Sequence, residues 1–311
     1  MSTSKTVSCL ILVILCFLSF ILLIKYNTNF TLFSDDTDDS VPPAPSSSDP
    51  SRGNPPPSIT TKEGFKKCIK KVADIYYSET YRFFEELDVC MKVYFSVDYK
   101  KLDNFPNGAT GERKVFLPME SDFQKEKCRW LTIGIGGLIA AEEQVHAKYP
   151  NCKIFGVEPS NQANFSSVGK VLSVGVGLED SDKSNGIKLM SLPRILDEFV
   201  GSRLVHYLSI DIESYEMIVL PELIGTGKFA NEKITFCQID AELHNPKQGG
   251  QHPDAENINR VQWILDFLSE SSPYLPVFTV SYQPAHKVTF VNIVNPECEK
   301  AFKISSYLNK Q

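Results

Sequence analysis

The sequence has no excess of positive charge and no long basic tract. Lysine and arginine number 32 against 38 aspartates and glutamates, so the formal net charge is −6 at pH 7. Binding to nucleic-acid phosphates requires clustered lysine and arginine side chains. The densest basic group, Lys66, Lys67, Lys70 and Lys71, has the spacing of a solvated helix face. We therefore expect no nucleic-acid partner.

Proline and glycine are too few, and too unevenly spread, for a fibrous or wholly disordered chain. The 311 residues include 19 prolines and 17 glycines, and 42% of the residues are hydrophobic. These values are typical of a globular protein. The sequence contains no internal repeat, and its length permits one large domain or two modest ones.

Charged residues are absent from Val7 to Ile24, and Lys5 and Lys25 flank this apolar run. As a helix, the run would be about 27 Å long, close to the hydrocarbon thickness of a bilayer. We expect an uncleaved transmembrane signal anchor over residues 7–24, preceded by a cytoplasmic head of residues 1–6. A cleaved signal peptide, which would leave a secreted protein, is the alternative.

A segment rich in proline, serine and aspartate follows the apolar run. Residues 25–60 cannot bury a core, so we expect a disordered stem there. The short head favours a type II arrangement, with the body of the protein in the lumen of the Golgi or endoplasmic reticulum. Glycosylation sequons at Asn29 and Asn164 are compatible with that compartment. We therefore expect a single-pass glycoprotein of the secretory pathway.

Six of the eight cysteines lie outside the apolar run. An even number is compatible with disulfides in an oxidising compartment, although six cysteines allow about fifteen pairings. We expect the local pairs Cys68–Cys90 and Cys128–Cys152, with free buried thiols as the alternative.

The remaining chain divides into a helical N-terminal region, residues 61–127, and a domain of residues 128–311. A helix is predicted over Lys62–Tyr94 and a loop over Asp98–Glu126. Strands are then predicted at Arg129–Ile135, Lys153–Val157, Lys170–Val176, Leu204–Ile210 and Ile234–Ile239, and helices at Leu138–Lys148, Leu192–Val200, Tyr215–Ile224 and Ile258–Glu270. Two β-rich runs, Tyr274–Tyr282 and His286–Val294, close the pattern. Such alternation predicts an α/β fold with a parallel sheet and an antiparallel edge.

The first predicted strand leads into the glycines Gly134, Gly136 and Gly137. Glycines at this position let a ligand approach a helix N-terminus, although a tight turn alone would also use them. Glu158 follows the second strand, where an acidic side chain can bind both hydroxyls of a ribose. Together they predict a site for a nucleoside-bearing cofactor. Ile139 replaces the third glycine of a dinucleotide fingerprint, which favours S-adenosylmethionine.

Carboxylates also follow the fourth and fifth predicted strands. Asp211 and Glu213 follow the fourth, and Asp240, Glu242 and His244 alternate along the end of the fifth. Open α/β sheets bind ligands at this edge. His244 beside Glu242 has the chemistry of a general base, with a structural histidine as the alternative. The same groups suit a divalent ion, but such carboxylates often bind only cofactor and substrate, so we expect no metal.

Cys128 to Asn292 resembles the FkbM-type methyltransferase domain, and most of all its membrane-anchored nematode-type members. The segments that carry the resemblance are Gly134–Gly137, Glu158-Pro159, Ser191–Leu196, Ile210–Glu213 with Glu216, and Glu242–His244. The resemblance implies a class I, Rossmann-like methyltransferase sheet with S-adenosylmethionine as the cofactor. By that resemblance Gly134, Gly136 and Glu158 bind the cofactor, Asp211 and Glu213 line the cofactor–substrate boundary, and Glu242 and His244 face the acceptor.

These observations predict an S-adenosylmethionine-dependent methyltransferase acting on a hydroxyl, with a glycan as the natural acceptor class. The expected catalytic residues are His244, Asp211 and Glu242; the expected cofactor-binding residues are Gly134, Gly136, Gly137, Glu158, Asp211 and Glu213. The sequence departs from the family pattern at Thr132, where an acidic residue is usual, and at Ser214, where glycine is usual. A non-catalytic luminal binding protein that has kept the fold is therefore the alternative.

Overall fold

The structure, a computed structural model, describes residues 59–309 apart from positions 109–110, 124–126, 161, 185, 249–251 and 283. The expected head and anchor and nearly all of the expected stem lie outside these residues. No helix in the described part of the chain is long and apolar enough to cross a membrane.

Two helices, not one, open the described chain. The predicted helix over Lys62–Tyr94 is interrupted by a turn, giving α1 (Ile59–Tyr76) and α2 (Thr80–Tyr94). The turn brings the second helix back along the first, so that Phe65 of α1 and Phe83 of α2 are both fully buried. The predicted disulfide Cys68–Cys90 is confirmed and joins the two helices.

The predicted loop over Asp98–Glu126 was wrong, because it contains an antiparallel β-hairpin. Strands β1 (Asp103–Pro106) and β2 (Arg113–Phe116) pair from Asp103 opposite Phe116 to Pro106 opposite Arg113. Each strand has only four residues. Two polar residues of the hairpin, Glu112 and Lys114, are buried, so the apolar–polar alternation that identifies a strand is disguised.

A seven-stranded sheet forms the centre of the fold, with strands in the order β11-β12-β10-β9-β3-β4-β5. Its strands are β3 (Arg129–Ile133), β4 (Lys153–Val157), β5 (Lys170–Leu172), β9 (Leu204–Ile210), β10 (Thr235–Leu243), β11 (Tyr274–Tyr282) and β12 (Ala285–Asn292). In this sheet β12 runs in the direction opposite to that of the other six strands. It lies between β10 and β11, so the outermost strand is β11, not the antiparallel one. The predicted α/β fold with a mostly parallel sheet is confirmed.

The third predicted strand, Lys170–Val176, is divided between two sheets. After β5, a tight turn in which Val174 N donates to Leu172 O directs the chain away. β6 (Gly175–Gly177) then joins a small sheet of order β6-β8-β7 with β7 (Ser181–Ser184) and β8 (Ile187–Ser191). The prediction of extended chain in this segment is therefore confirmed, but the prediction that it forms a single strand was wrong.

Helices cover the central sheet and close the chain. They are α3 (Ala140–Lys148), α4 (Leu192–Arg194, continued by a π-helical turn over Ile195–Val200), α5 (Glu216–Val219), α6 (Lys228–Asn231), α7 (Arg260–Phe267), α8 (Pro296–Phe302) and α9 (Ile304–Leu308). The predicted disulfide Cys128–Cys152 is confirmed. A third disulfide, Cys237–Cys298, joins β10 to α8 and was not predicted.

Candidate active site

The glycine loop between β3 and α3 follows the sequence prediction. Gly134, Gly136 and Gly137 all have positive φ, at 83°, 60° and 85°. A β-carbon on Gly134 would lie 1.7 Å from the carbonyl oxygen of Asp211, so packing excludes any side chain there. A β-carbon on Gly136 or Gly137 would meet nothing within 4 Å. The first glycine thus permits close approach of two chain segments, and the other two leave open space.

Glu158 lies at the end of β4 and is fixed by its own neighbours. One carboxylate oxygen accepts a hydrogen bond from Ile135 N at 3.1 Å. The other accepts from Ser160 N at 3.1 Å and from Ser160 Oγ at 2.8 Å. A carboxylate offers about four lone-pair sites, so acceptor capacity remains for a ribose hydroxyl. The glycine loop and Glu158 therefore fit a nucleoside.

A cavity of about 460 Å³ opens between the central sheet and the small sheet. Five of the six predicted cofactor-binding residues line it, namely Gly134, Gly136, Glu158, Asp211 and Glu213. Gly137 does not line it; its carbonyl oxygen accepts a hydrogen bond from Asn164 Nδ2 instead. The volume lies in the range of small-ligand sites.

Sequence reasoning missed the other wall of this cavity. Val174, Val176, Ile187 and Leu189, at β6 and β8, supply apolar surface opposite the glycine loop. In the sequence Val174 and Val176 belonged to the predicted strand Lys170–Val176, Ile187 and Leu189 belonged to no predicted element, and nothing local showed that these residues border a ligand site. A larger cavity of about 760 Å³ lies at the turn between α1 and α2, and none of the predicted site residues lines it.

The predicted catalytic residues meet in one cluster, the acid–base cluster of Asp211, Glu213, Glu216, Glu242 and His244. Nδ1 of His244 lies 3.1 Å from Oε1 of Glu216. Nε2 of His244 lies 3.4 Å from Asp211 Oδ1, 3.5 Å from Glu242 Oε1 and 3.8 Å from Glu213 Oε2. Asp211 and Glu213 also line the cavity, so the cluster adjoins it.

The amino-acid sequence around this site matches a known protein family. The family described as methyltransferase FkbM domain matches residues 97–270. The chain belongs to the FkbM methyltransferase family. S-adenosylmethionine is its cofactor, as predicted. The match begins before β1 and ends at residue 270, so it includes the hairpin and the strands β3, β4, β5, β9 and β10, while β11 and β12 lie beyond it.

Solved structures similar to this FkbM protein are distant. One is a SAM-dependent methyltransferase from Aquifex aeolicus, with 11% identity over 55% of this chain and 85% of that chain, at a TM-score of 0.31. Another is a single-residue mutant of the 16S rRNA (adenine(1408)-N(1))-methyltransferase from Catenulisporales acidiphilia, with 7% identity over 61% of this chain and 98% of that one, at a TM-score of 0.32. No curated protein sequence matches the chain.

The first departure from the FkbM pattern, Thr132, lies in the core and not in the cavity. Its Oγ1 donates to Glu142 Oε1 at 2.6 Å and accepts from Trp130 Nε1 at 2.8 Å. Glu142 in turn pairs with the buried Lys114 at 2.8 Å. Thr132 therefore completes a buried polar network, and the cavity is formed without an acidic side chain at this position.

The second departure, Ser214, adopts a backbone conformation that glycine favours. Glu213 and Ser214 have φ of 53° and 71°, which costs a non-glycine residue about 1–2 kcal/mol. Ser214 Oγ accepts a hydrogen bond from His252 N at 3.0 Å, and Glu213 O accepts from the same amide at 2.8 Å. These bonds hold the turn that places Glu213 at the cavity.

The charges of the cluster shift its pKa values in this FkbM domain. Burial lowers the pKa of His244, but the carboxylates of Glu216, Asp211 and Glu242 outweigh burial and raise it to about 9. Burial and the charge of Asp211 raise the pKa of Glu242 to about 7, against the effect of Lys287 and His244. Burial also raises the pKa of Asp211. The carboxylates around His244 therefore favour its imidazolium form, and burial favours the protonated form of Asp211 and of Glu242.

Asp211, Glu242 and His244 also satisfy the distance requirement for a divalent ion. One ligand atom from each lies within 4.8 Å of the other two, and carboxylate and imidazole ligands suit several metals. The imidazolium accounts for the same arrangement by charge attraction alone. The absence of a metal therefore stays a prediction, which metal removal tests.

Proposed function

We propose that this FkbM protein transfers the methyl group of S-adenosylmethionine to a hydroxyl oxygen, with Asp211 as the base. The observation that supports this proposal is the position of Asp211. Its side chain is 35% exposed and borders the cavity, while His244 Nε2 lies 3.4 Å from its carboxylate. Glu242 and His244 are nearly closed to solvent, so they act on the acceptor through Asp211.

The reaction is a direct displacement. The acceptor oxygen bonds to the methyl carbon, the methyl–sulfur bond breaks with its electron pair remaining on sulfur, and S-adenosylhomocysteine leaves. Asp211 takes the hydroxyl proton, which requires it to lie within hydrogen-bond reach of the acceptor. Placing the acceptor in line with the breaking bond supplies much of the rate. A glycine loop that fixes the donor and a carboxylate that fixes the acceptor serve that alignment.

Asp211 and Glu242 titrate as a pair, because oxygens of the two carboxylates lie within 4.8 Å of one another and the charge of Asp211 raises the pKa of Glu242. Such pairs lose their protons in two separated steps. The second step, near pH 7, produces the doubly ionised pair that can accept the hydroxyl proton. His244, held as an imidazolium, stabilises that state.

The acceptor and compartment form part of the proposal. Three disulfides, Cys68–Cys90, Cys128–Cys152 and Cys237–Cys298, are typical of an oxidising compartment. Together with the apolar run at 7–24 they support a type II membrane protein whose body lies in the lumen of the secretory pathway, or a secreted protein if the run is cleaved. A glycan hydroxyl is an abundant acceptor there.

Titration calorimetry with the detergent-purified full chain tests donor binding first. We expect saturable binding of S-adenosylmethionine that Glu158→Gln weakens by about tenfold, since charge-assisted hydrogen bonds are worth about 1.5–3 kcal/mol. The matched control is Glu256→Gln, an exposed glutamate outside the cavity, which should bind normally. Absence of binding by the folded wild type would refute the proposal.

Transfer is tested with methyl-tritiated donor and oligosaccharides released from microsomal glycoproteins and glycolipids. Alkali-stable label in the oligosaccharides, lost in Asp211→Asn, supports O-methylation of glycans. Donor binding without transfer to any hydroxyl-bearing acceptor would instead favour a non-catalytic binding protein. Label in a protein fraction that is insensitive to glycosidases would contradict the glycan.

A further inference from the structure

Lys287 is a buried lysine that the proposed mechanism does not use. It lies on β12 directly opposite Glu242 of β10 in the antiparallel register, and its side chain is 2% exposed. Its Nζ lies 3.0 Å from Glu112 Oε1, 3.5 Å from Glu242 Oε2 and 3.6 Å from Asp240 Oδ2. The ammonium of Lys287 therefore contacts three buried carboxylates, two from β10 and one from the hairpin turn.

The two oxygens of Glu242 face different partners. Oε2 accepts from Lys287 Nζ, and Oε1 lies 3.5 Å from His244 Nε2. The carboxylate thus bridges the buried ammonium to the imidazole of the acid–base cluster. A lysine that only neutralised Glu112 or Asp240 would not share a carboxylate with the acid–base cluster.

Glu112 extends the connection to the glycine loop. Its Oε2 accepts from Asn107 Nδ2 at 2.8 Å, and Asn107 Oδ1 accepts from Ala141 N at 3.4 Å, in the first turn of α3. The turn of the hairpin therefore contacts both the helix that follows the glycine loop and the ammonium behind Glu242. The loss of either charge, Lys287 or Glu112, alters the field at the cluster without touching the cavity.

We propose that Lys287 is a positioning residue that holds Glu242 toward His244 and, opposed by Glu112, sets the pH at which the Asp211–Glu242 pair becomes active. This inference rests on the proposed function for its kinetic test only. The charged groups that face the pair are Lys287, His244, Glu112 and Glu216, with Lys114 beyond Glu112. Because Lys287 and Glu242 are nearly closed to solvent, the charge of Lys287 acts on Glu242 more strongly than it would on the surface.

Two variants test the proposal through opposite shifts. Lys287→Met removes the cation, so the ascending limb of the kcat–pH profile should move about one unit or more toward higher pH, and kcat at pH 7 should fall about tenfold. Glu112→Gln removes a negative charge that opposes the charge of Lys287, so the ascending limb of the kcat–pH profile should move toward lower pH. The affinity for S-adenosylmethionine should stay within about twofold in both, because neither residue lines the cavity.

A purely structural role would lower stability and kcat in both variants without moving the limb in opposite directions, and that result would overturn the proposal. Should Lys287→Met fail to fold, with three buried carboxylates left unpaired, Glu112→Gln decides alone: an unchanged limb overturns the proposal. The titration of the His244 ring, followed by NMR in each variant, does not depend on transfer. We expect its pKa to rise in Lys287→Met and to fall in Glu112→Gln. If no hydroxyl is methylated but these shifts occur, the proposed function fails while the link between Lys287 and the cluster stands.

Discussion

The imidazole of His244 is held by Glu216 through two contacts to the same oxygen. Glu216 Oε1 accepts from the backbone N of His244 at 3.1 Å and lies 3.1 Å from its Nδ1. Glu216 is fully buried on α5, so it cannot exchange this contact for water. The ring orientation is therefore fixed, with Nε2 directed toward Asp211 and Glu242.

Replacing Glu216 by glutamine should lower the pKa of the His244 ring. The amide oxygen can still accept from the backbone N of His244, but the charge that favours the protonated ring is lost. We expect the pKa of His244 to fall from about 9 by about one unit or more, as measured by NMR titration of the ring. Glu256→Gln, on the surface, is the matched control. An unchanged His244 titration would show that Glu216 has only a packing role.

The glycines of the cofactor loop should differ in how they tolerate alanine. Gly134→Ala places a β-carbon 1.7 Å from Asp211 O at a φ of 83°, so we expect a loss of more than about 3 kcal/mol in unfolding free energy. Gly111→Ala is the control, because Gly111 has a φ of 82° with nothing within 4 Å and should cost only about 1 kcal/mol. Denaturant unfolding followed by circular dichroism measures both.

Gly136→Ala should act on binding more than on stability. Its β-carbon meets nothing in the protein, but Gly136 lines the cavity, where the donor must approach the backbone. We expect at least a tenfold weaker affinity for S-adenosylmethionine by calorimetry, with a small change in unfolding free energy. Normal donor affinity would place the donor away from the glycine loop.

The parts of the fold that were predicted correctly have local signals. Lys153–Val157, Leu204–Ile210 and Tyr274–Tyr282 match observed strands residue for residue, because continuous apolar runs bounded by turn residues mark buried strands. The glycine loop and Glu158 were predicted because their spacing along one chain segment is itself the signal.

The unpredicted parts depend on contacts between distant segments. Lys287 and Glu112 are 175 residues apart, and a lysine within a strand gives no sign that it will be buried. Cys237 and Cys298 are 61 residues apart, and only the fold brings them together. Even within the site, the sequence named His244 or Asp211 as the base, and the carboxylates that raise the pKa of His244 come from separate segments that only the fold brings together.

Metal removal should leave the protein unchanged. Overnight treatment with EDTA, followed by transfer assays and donor titration in metal-free buffer, should give wild-type values, because the surrounding carboxylates favour the protonated His244 ring, and an imidazolium has no free lone pair with which to bind a metal. Loss of transfer that Mn²⁺ restores would contradict this prediction. It would then assign Asp211, Glu242 and His244 as ligands, since their ligand atoms lie within 4.8 Å of one another.

Acid stability should depend on His206, which is buried far from the proposed chemistry. Its ring is 1% exposed and accepts a hydrogen bond from Arg129 N at 3.3 Å. Burial, with a smaller contribution from Arg129, lowers its pKa to about 4. Between that value and about 6.5 the unfolded chain binds a proton that the folded protein does not, so this residue makes stability fall as the pH drops, at up to about 1.4 kcal/mol per pH unit.

His206→Asn keeps an acceptor for Arg129 N but cannot take up a proton, so it should flatten the decline in unfolding free energy between pH 6.5 and pH 4. Asp240 and Glu242, whose pKa values are raised to about 6 and about 7, act in the opposite sense. They are present in both proteins, so their effect cancels in the difference. Urea unfolding at several pH values measures the two curves. The control is the exposed His146→Asn, and equal slopes in wild type and His206→Asn would show that the buried ring is protonated in the folded state.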